Sequence, residues 1–141
     1  MAKVTFEIIG EPQGKGRHRV QVVGKGKIHT YTPDKTANYE NLVKIMYLKQ
    51  GNGERLQGAI KATIAAYYAI PQSWTKKKKE QACKGLIYPQ KKPDMDNIAK
   101  IILDSLNGIA YEDDKQVVEL HLYKQFAEQG KVYVTLETIG G

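Results

Sequence analysis

Apolar and polar residues alternate in four stretches of the chain, and this pattern predicts four strands. Residues 3–9 place valine, phenylalanine and isoleucine on one face, and residues 59–70 alternate over a longer run that ends at a proline. Residues 117–123 and 131–138 are also strand-like, with a Gln-Gly pair before the second of them. We therefore expect these last two strands to pair as a hairpin.

Helical spacing of apolar residues predicts three helices between the strands. They are a helix from Lys35 to about Lys49, ended by Gly51-Asn52-Gly53; a short helix with Ser73 as N-cap that carries Trp74 and the lysine run 76–79; and a third, capped by Asp94 or Asp96, that ends at Asn107-Gly108. Residues 10–32, with five glycines and many cations, predict a long loop or loose hairpin. The order β-α-β-α-α-β-β predicts an α+β fold with helices packed on a mixed or antiparallel sheet.

Length and charge narrow the class of protein. With 141 residues, the chain is expected to form a single domain over residues 1–141, large enough for a hydrophobic core. Its 22 Lys and Arg against 15 Asp and Glu give a net charge of +7. This balance favours an anionic partner: nucleic acid first, an acidic membrane second and a ribosome-like assembly third. From charge alone, a merely soluble basic protein remains an equal alternative.

Cysteine content and hydropathy exclude several classes of protein. Cys83 is the single cysteine, so no internal disulfide can form, which fits a reducing compartment. No apolar run approaches the roughly 18 residues that a membrane span needs, and the first residues are not those of a signal peptide. We therefore expect a cytoplasmic protein without a membrane partner.

Acidic residues gather in one part of this basic chain: Asp94, Asp96, Asp104 and the pair Asp113-Asp114. Asp94 and Asp96 stand two apart in what reads as an extended lead-in, so their side chains can point the same way. Carboxylate oxygens suit Mg²⁺ or Mn²⁺ rather than Zn²⁺, and Lys100 is placed to assist at such a site. Each aspartate taken alone is better explained as a helix cap, an ion-pair partner or a turn residue, whereas their combination within a basic chain favours the metal site.

Two motifs carry a family resemblance. The string from Asp94 to Gly108, of the pattern D-x-D-N-x-x-K-x-x-x-D-x-L, and the later D-D-x-Q-V from Asp113 resemble the RusA-type Holliday junction resolvases of bacteria, phages and prophages. The N-terminal pattern from Gly10 to Arg19, G-x-P-x-x-K-x-R-x-R, and Tyr31-Thr32-Pro33-x-Lys35 are similar to that family as well.

The resemblance implies a homodimeric, Mg²⁺-dependent endonuclease, with Mn²⁺ as a substitute metal, that resolves four-way DNA junctions by paired symmetric nicks in recombination and repair. It assigns the metal to Asp94, Asp96 and Asp114 and makes Lys100 an essential lysine, with Asn97, Asp104 and Asp113 at supporting positions. Cations near these motifs are expected to bind DNA phosphates: Lys15, Arg17, Arg19, Lys76, Lys77, Lys91 and Lys92.

Two other functions account for the charge. One is a non-catalytic basic protein that binds branched DNA, and the other is a structural or assembly protein that binds RNA. Neither gives a reason for several aspartates placed beside the cations.

Overall fold

The computed structural model describes residues 2–16, 19–23, 27–31 and 34–140, without the side chains of 19–23 and 27–31. The strands are β1 (Lys3–Ile9), β2 (Arg19–Val23), β3 (Lys27–Tyr31), β4 (Ile60–Ala69), β5 (Val117–Ala127) and β6 (Lys131–Thr138). The α-helices are α1 (Asp34–Gln50), α2 (Lys76–Cys83) and α3 (Met95–Ser105), and a 3₁₀ turn spans Asp114–Gln116. The predicted α+β class and element order are confirmed. Strands β2 and β3 add an antiparallel pair where a loop or loose hairpin was predicted.

The main sheet is mixed, with the strand order β1-β6-β4-β5. Strand β4 is antiparallel to β6 and parallel to β5, so the predicted hairpin of β5 with β6 is wrong. The segment between these two strands crosses the end of β4 as the chain turns back, so β5 and β6 run antiparallel without being neighbours. It is fixed there by bonds from Ile70 N–H to the Ala127 carbonyl and from Gly10 N–H to the Gly130 carbonyl, both of 2.9 Å.

The hydrophobic core lies on one face of this sheet, beneath α1 and α3. Alternate strand residues such as Phe6 and Ile64 point into it, and they meet Tyr47 of α1 and Ile101 of α3. The Phe6 and Tyr47 rings pack edge to face, with their centroids 5.3 Å apart. The opposite face of the sheet carries Thr, Lys, Glu and Tyr side chains. All the helices that pack on the sheet therefore cover the same side of it.

The short lysine-rich helix starts later than predicted. Its N-cap is Thr75, whose hydroxyl accepts the Lys78 N–H at 3.2 Å, so the prediction of Ser73 is wrong. Trp74 precedes the helix and packs against Phe126 of β5, with ring centroids 5.1 Å apart. The Lys78 ammonium lies 4.0 Å from the centre of the Trp74 ring. Among the described helices, none is long and apolar enough to cross a membrane.

Candidate active site

The amino-terminal end of α3 presents two exposed aspartates. Asp94 is the N-cap residue, with extended backbone angles of φ −66° and ψ 157°, but its side chain makes no capping bond. Asp96 already lies in the first turn of the helix. The prediction that both stand in an extended lead-in is therefore wrong. As helix-terminal residues they carry negative charge where the helix dipole stabilises it.

The polar stripe predicted along α3 is confirmed. Lys100 is exposed, and Asn97 and Asp104 are half-buried on the side away from the core. Ile98, Ile101 and Ile102 are completely buried on the other side, as in the prediction. The helix thus holds these polar side chains on a face whose orientation is fixed by the core.

The turn after α3 folds back, which brings Asp114 to the helix. The Tyr111 hydroxyl donates to the Leu103 carbonyl at 2.6 Å, and Asp114 N–H donates to the Asn107 side-chain carbonyl at 2.7 Å. As a result, the Asp114 carboxyl group comes close enough to Asp104 for each to shift the pKa of the other. Two carboxyl groups ten positions apart in sequence therefore meet.

Asp113, the other member of the Asp-Asp pair, stabilises the turn. The Asp113 carboxylate accepts the Lys115 N–H at 3.0 Å, and the Gln116 side chain accepts the Asp113 N–H at 3.2 Å. This reciprocal pattern is a capping box at the start of the 3₁₀ turn. Asp113 thus holds the turn, whereas Asp114 faces Asp104.

The two paired carboxyl groups have opposite electrostatic environments. The hydrogen bond with Asp104 is the largest cause that raises the pKa of Asp114, and partial burial raises it further. Burial also acts to raise the pKa of Asp104, but its bonds with Lys15 and Asp114 and the charges of Lys15 and Lys100 together lower it. Two carboxyl groups in contact repel when both are ionised, so one of them retains its proton more readily.

Lys15 reaches this pair from the loop after β1. Its ammonium donates to Asp104 at 2.8 Å and lies 3.7 Å from Glu40 of α1. The neighbouring Gly16 N–H donates to the buried Thr36 hydroxyl at 2.8 Å. A Cβ atom on Gly14 would lie only 2.8 Å from the Pro93 Cβ, so this residue must be small for the loop to approach α3. The loop is therefore fixed between the two long helices.

Replacing Lys15 with methionine should lower the free energy of unfolding by roughly 1–2 kcal/mol at pH 7, because Asp104 loses its closest cation. The ion pair lowers the folded-state pKa of Asp104. The stabilisation is therefore complete above the unfolded pKa of about 3.9 and is lost as the pH falls through the folded value. Urea unfolding at several pH values measures this difference.

The matched Lys131→Met change, which removes a more exposed pair with Glu7, should cost less than about 0.5 kcal/mol. Equal losses for the two variants, or a loss that persists at pH 2, would contradict the role of Asp104.

A short segment before Asp94 is held down on the sheet by Lys124 of β5. The Lys124 ammonium donates to the carbonyls of Lys91 at 2.6 Å and Pro93 at 3.1 Å, and it lies 5.4 Å from the centre of the Tyr68 ring. This lysine was missed by the sequence prediction. The signal that could have found it is its position between Leu122 and Phe126, on the apolar face of an alternating strand.

A cavity of about 330 Å³ lies between the loop after β1 and the start of α3. It is lined by Gly14, Lys15, Lys92, Pro93, Asp94 and Asn97. Lys15 is therefore shared between this cavity and the Asp104–Asp114 pair. Two lysines and one carboxylate around such a space are suited to a phosphate group with an accompanying cation.

The predicted DNA-binding cations are placed unequally in the structure. Lys76, Lys77 and Lys92 are exposed, and Lys91 is exposed but lies 3.9 Å from Glu11. Arg17 and the side chain of Arg19 fall outside the described residues. Lys15 contacts two carboxylates in this structure, so a phosphate contact by it stays a prediction.

The donor groups present are compatible with a magnesium ion. Within the described part of the chain, no three acidic, histidine or cysteine side chains lie close enough together to hold a metal. The Asp104–Asp114 pair nevertheless offers two neighbouring carboxyl groups. Mg²⁺ often needs only one or two carboxylates, because water and substrate phosphate complete its coordination. Asp94 and Asp96 stand apart from the pair along α3.

Paired carboxyl groups flanked by lysines, on a basic α+β protein, are typical of an enzyme that hydrolyses phosphodiesters. The sequence matches the family described as Endodeoxyribonuclease RusA over residues 10–137. The chain belongs to this family, and it is accordingly a nuclease of the Holliday junction resolvase type. Nucleases of this family are generally dependent on a divalent metal.

Two relatives resemble the chain over nearly its whole length. One is "Uncharacterized protein YqaN" of Bacillus subtilis (strain 168), which is 34% identical over 138 residues, 96% of each chain. The other is "Crossover junction endodeoxyribonuclease rusA" of Lactococcus phage r1t, which is 26% identical over 135 residues, 95% of each chain.

Proposed function

We propose that this chain resolves four-way DNA junctions by Mg²⁺-dependent hydrolysis, with paired symmetric nicks made by a homodimer of a single domain over residues 1–141. The observation that carries the proposal is that the Asp104 and Asp114 carboxyl groups lie near enough to shift each other's pKa, beside a Lys15 ammonium 2.8 Å from Asp104. Two like charges brought together at a partly exposed site are costly unless a cation binds between them. Because nucleases of this family generally depend on a divalent metal, a bound metal ion would explain why the two carboxyl groups are placed together.

Following the motif, we assign metal binding to Asp94, Asp96 and Asp114. Because Asp94 and Asp96 stand apart from the Asp104–Asp114 pair along α3, the two groups would bind separate ions, and Asp104 would join Asp114 at the second of them. When bound, Mg²⁺ would lower the pKa of a coordinated water and neutralise charge on the phosphate. The ammonium of Lys100, four residues before Asp104 on the same helix face, would stabilise the negative charge that develops on the phosphate oxygens. Asn97 and Asp113 are supporting residues. Asn97 lines the cavity, and Asp113 caps the turn that places Asp114.

We propose that DNA lies across the exposed cations of the helix side. Lys92 lines the cavity beside Asp94, and Lys91 is next to it in sequence. Lys76 and Lys77 on α2 would contact phosphates farther from the cut, and Arg17 and Arg19, which the motif supplies, would bind phosphates as well. Such contacts carry no base information, so the junction would be recognised by its shape.

A labelled four-way junction tests the proposal. With Mg²⁺, the purified protein should nick two opposite strands at symmetric positions, whereas linear duplex of the same sequence should remain largely intact. Chelation should stop cleavage, and Mn²⁺ should restore it. Denaturing gels that resolve each labelled strand measure the products. Tight junction binding without cleavage in any divalent metal would instead indicate a non-catalytic DNA-binding protein.

A further inference from the structure

Gln116 is the last residue of the 3₁₀ turn, and its side-chain amide makes four hydrogen bonds to the backbone. Its carbonyl oxygen accepts the Glu112 N–H at 3.0 Å and the Asp113 N–H at 3.2 Å. Its amino group donates to the Gly58 carbonyl at 3.1 Å and to the Leu56 carbonyl at 3.4 Å. A glutamine side chain has two acceptor and two donor positions, so all four are occupied within the protein.

The two carbonyls that Gln116 binds belong to the segment between α1 and β4, which is anchored in the core. Leu56 is 2% exposed, and its N–H donates to the Ala110 carbonyl at 2.7 Å. The segment therefore holds the chain before the turn through Leu56 and within the turn through Gln116. A shift of the turn relative to the core would break bonds at both places.

We propose that Gln116 is a positioning residue for metal binding, because it fixes the turn from which the Asp114 carboxyl group lies near Asp104. Asp114 stands two residues before Gln116, and its N–H donates to the Asn107 side chain beyond α3 at 2.7 Å. Asn107 joins the turn to the end of α3, and Gln116 joins it to the core segment, so the Asp114 backbone is held from two sides. The inference rests on the proposed function, in which Asp114 binds a metal ion.

The size of the expected effect follows from what the four bonds hold in place. Groups that orient a metal-binding side chain typically change metal affinity by about 10–100-fold when they are removed. Gln116→Met keeps the length of the side chain and removes all four bonds. The ion would then have to order the turn when it binds, and its affinity would be lower for that reason.

Titration with Mn²⁺ alone tests the inference without relying on activity. Electron paramagnetic resonance measures the free Mn²⁺, and Asp114→Asn identifies which binding belongs to the Asp104–Asp114 pair. Gln116→Met should raise the Mn²⁺ dissociation constant of that pair roughly 10-fold. Gln116→Asn is one methylene shorter and cannot span both sets of partners, so it should give a smaller increase. Amide hydrogen exchange at Asp113 should be faster in both variants.

Gln50 provides the matched control, because its side chain also joins two parts of the backbone. It accepts the Glu7 N–H and donates to the Glu7 carbonyl, both at 2.9 Å, where α1 ends beside β1. Gln50→Met also removes backbone hydrogen bonds, but it should leave the Mn²⁺ affinity unchanged. Wild-type Mn²⁺ affinity in Gln116→Met, or an equal loss in Gln50→Met, would overturn the positioning role.

Junction cleavage distinguishes this inference from the proposed function. Gln116→Met should cut slowly at limiting Mg²⁺ and recover at high Mg²⁺, with its junction affinity unchanged. A wild-type protein that cuts junctions, together with a Gln116→Met variant that cuts equally fast at limiting Mg²⁺, would refute only the inference. Mn²⁺ binding that depends on Gln116 in a protein that never cuts junctions would refute only the proposed function. A wild-type protein that binds no Mn²⁺ would refute the positioning role together with the metal assignment.

Discussion

Asp114→Asn should lower the cleavage rate of a four-way junction by about 1000-fold, because the site loses a carboxylate that we propose as a metal ligand, a loss of several kcal/mol of transition-state stabilisation. Junction affinity in the absence of metal should remain the same or improve, since the change removes a negative charge. Stability should not fall. The raised pKa of Asp114 means that its ionised form opposes folding above the unfolded pKa, so asparagine removes that cost at pH 7 but not below pH of about 3.9.

The neighbouring aspartate provides the control for this experiment. Asp113→Asn changes the same charge one residue away, and asparagine remains a good cap for the 3₁₀ turn. Its cleavage rate should therefore stay close to that of the wild-type protein. Single-turnover assays with saturating protein separate the cutting step from junction binding. Full activity of Asp114→Asn, or an equal loss for the two variants, would show that Asp114 does not bind the metal.

The local elements of this fold could be predicted from the sequence, because each depends on residues close together in the chain. Alternation located β1 and β4, and the glycine-rich stop after Gln50 ended α1 at the predicted place. Strand pairing depends instead on distant residues. The Gln129-Gly130 turn suggested a hairpin, yet β4 lies between β5 and β6. The pattern of small residues in β4, with Ala62, Ala65 and Ala66 all buried, fits a central strand, but spacing alone does not reveal its neighbours.

The candidate site was only partly predictable for the same reason. The motif located the aspartates and Lys100, and helical period correctly placed Asp104 on the polar face of α3. That Asp114 returns to meet Asp104 depends on the Tyr111 and Asn107 contacts, which spacing does not disclose. The ion pair of Lys15 with Asp104 joins residues 89 positions apart. The positive charge of Lys15 suggested a DNA contact, whereas in the structure its ammonium group lies beside carboxylates.

The most informative residue outside the motif is Lys124, because it acts on the segment that leads into Asp94. Lys124→Met should reduce the turnover rate of junction cleavage by about 100-fold, since a displacement of about 1 Å at reacting groups can have that effect. Methionine keeps the length and the contact with Tyr68 but cannot donate to the carbonyls of Lys91 and Pro93. The segment would become more mobile, and the Asp94 and Asp96 side chains would then no longer be held in fixed positions. Junction affinity should change little, because the Lys124 ammonium is already engaged by those carbonyls.

Two comparisons separate this positioning role from loss of charge or loss of fold. Lys131→Met removes a lysine of β6, on the opposite face of the sheet, and should leave turnover unchanged. Lys124→Arg retains several donors in one plane and should recover part of the rate. A higher Mg²⁺ concentration should also partly compensate Lys124→Met, because loosely held carboxylates bind the ion more weakly but still bind it. An unchanged turnover rate in Lys124→Met, or a loss confined to junction affinity, would mean that Lys124 contacts DNA rather than positions the carboxylates.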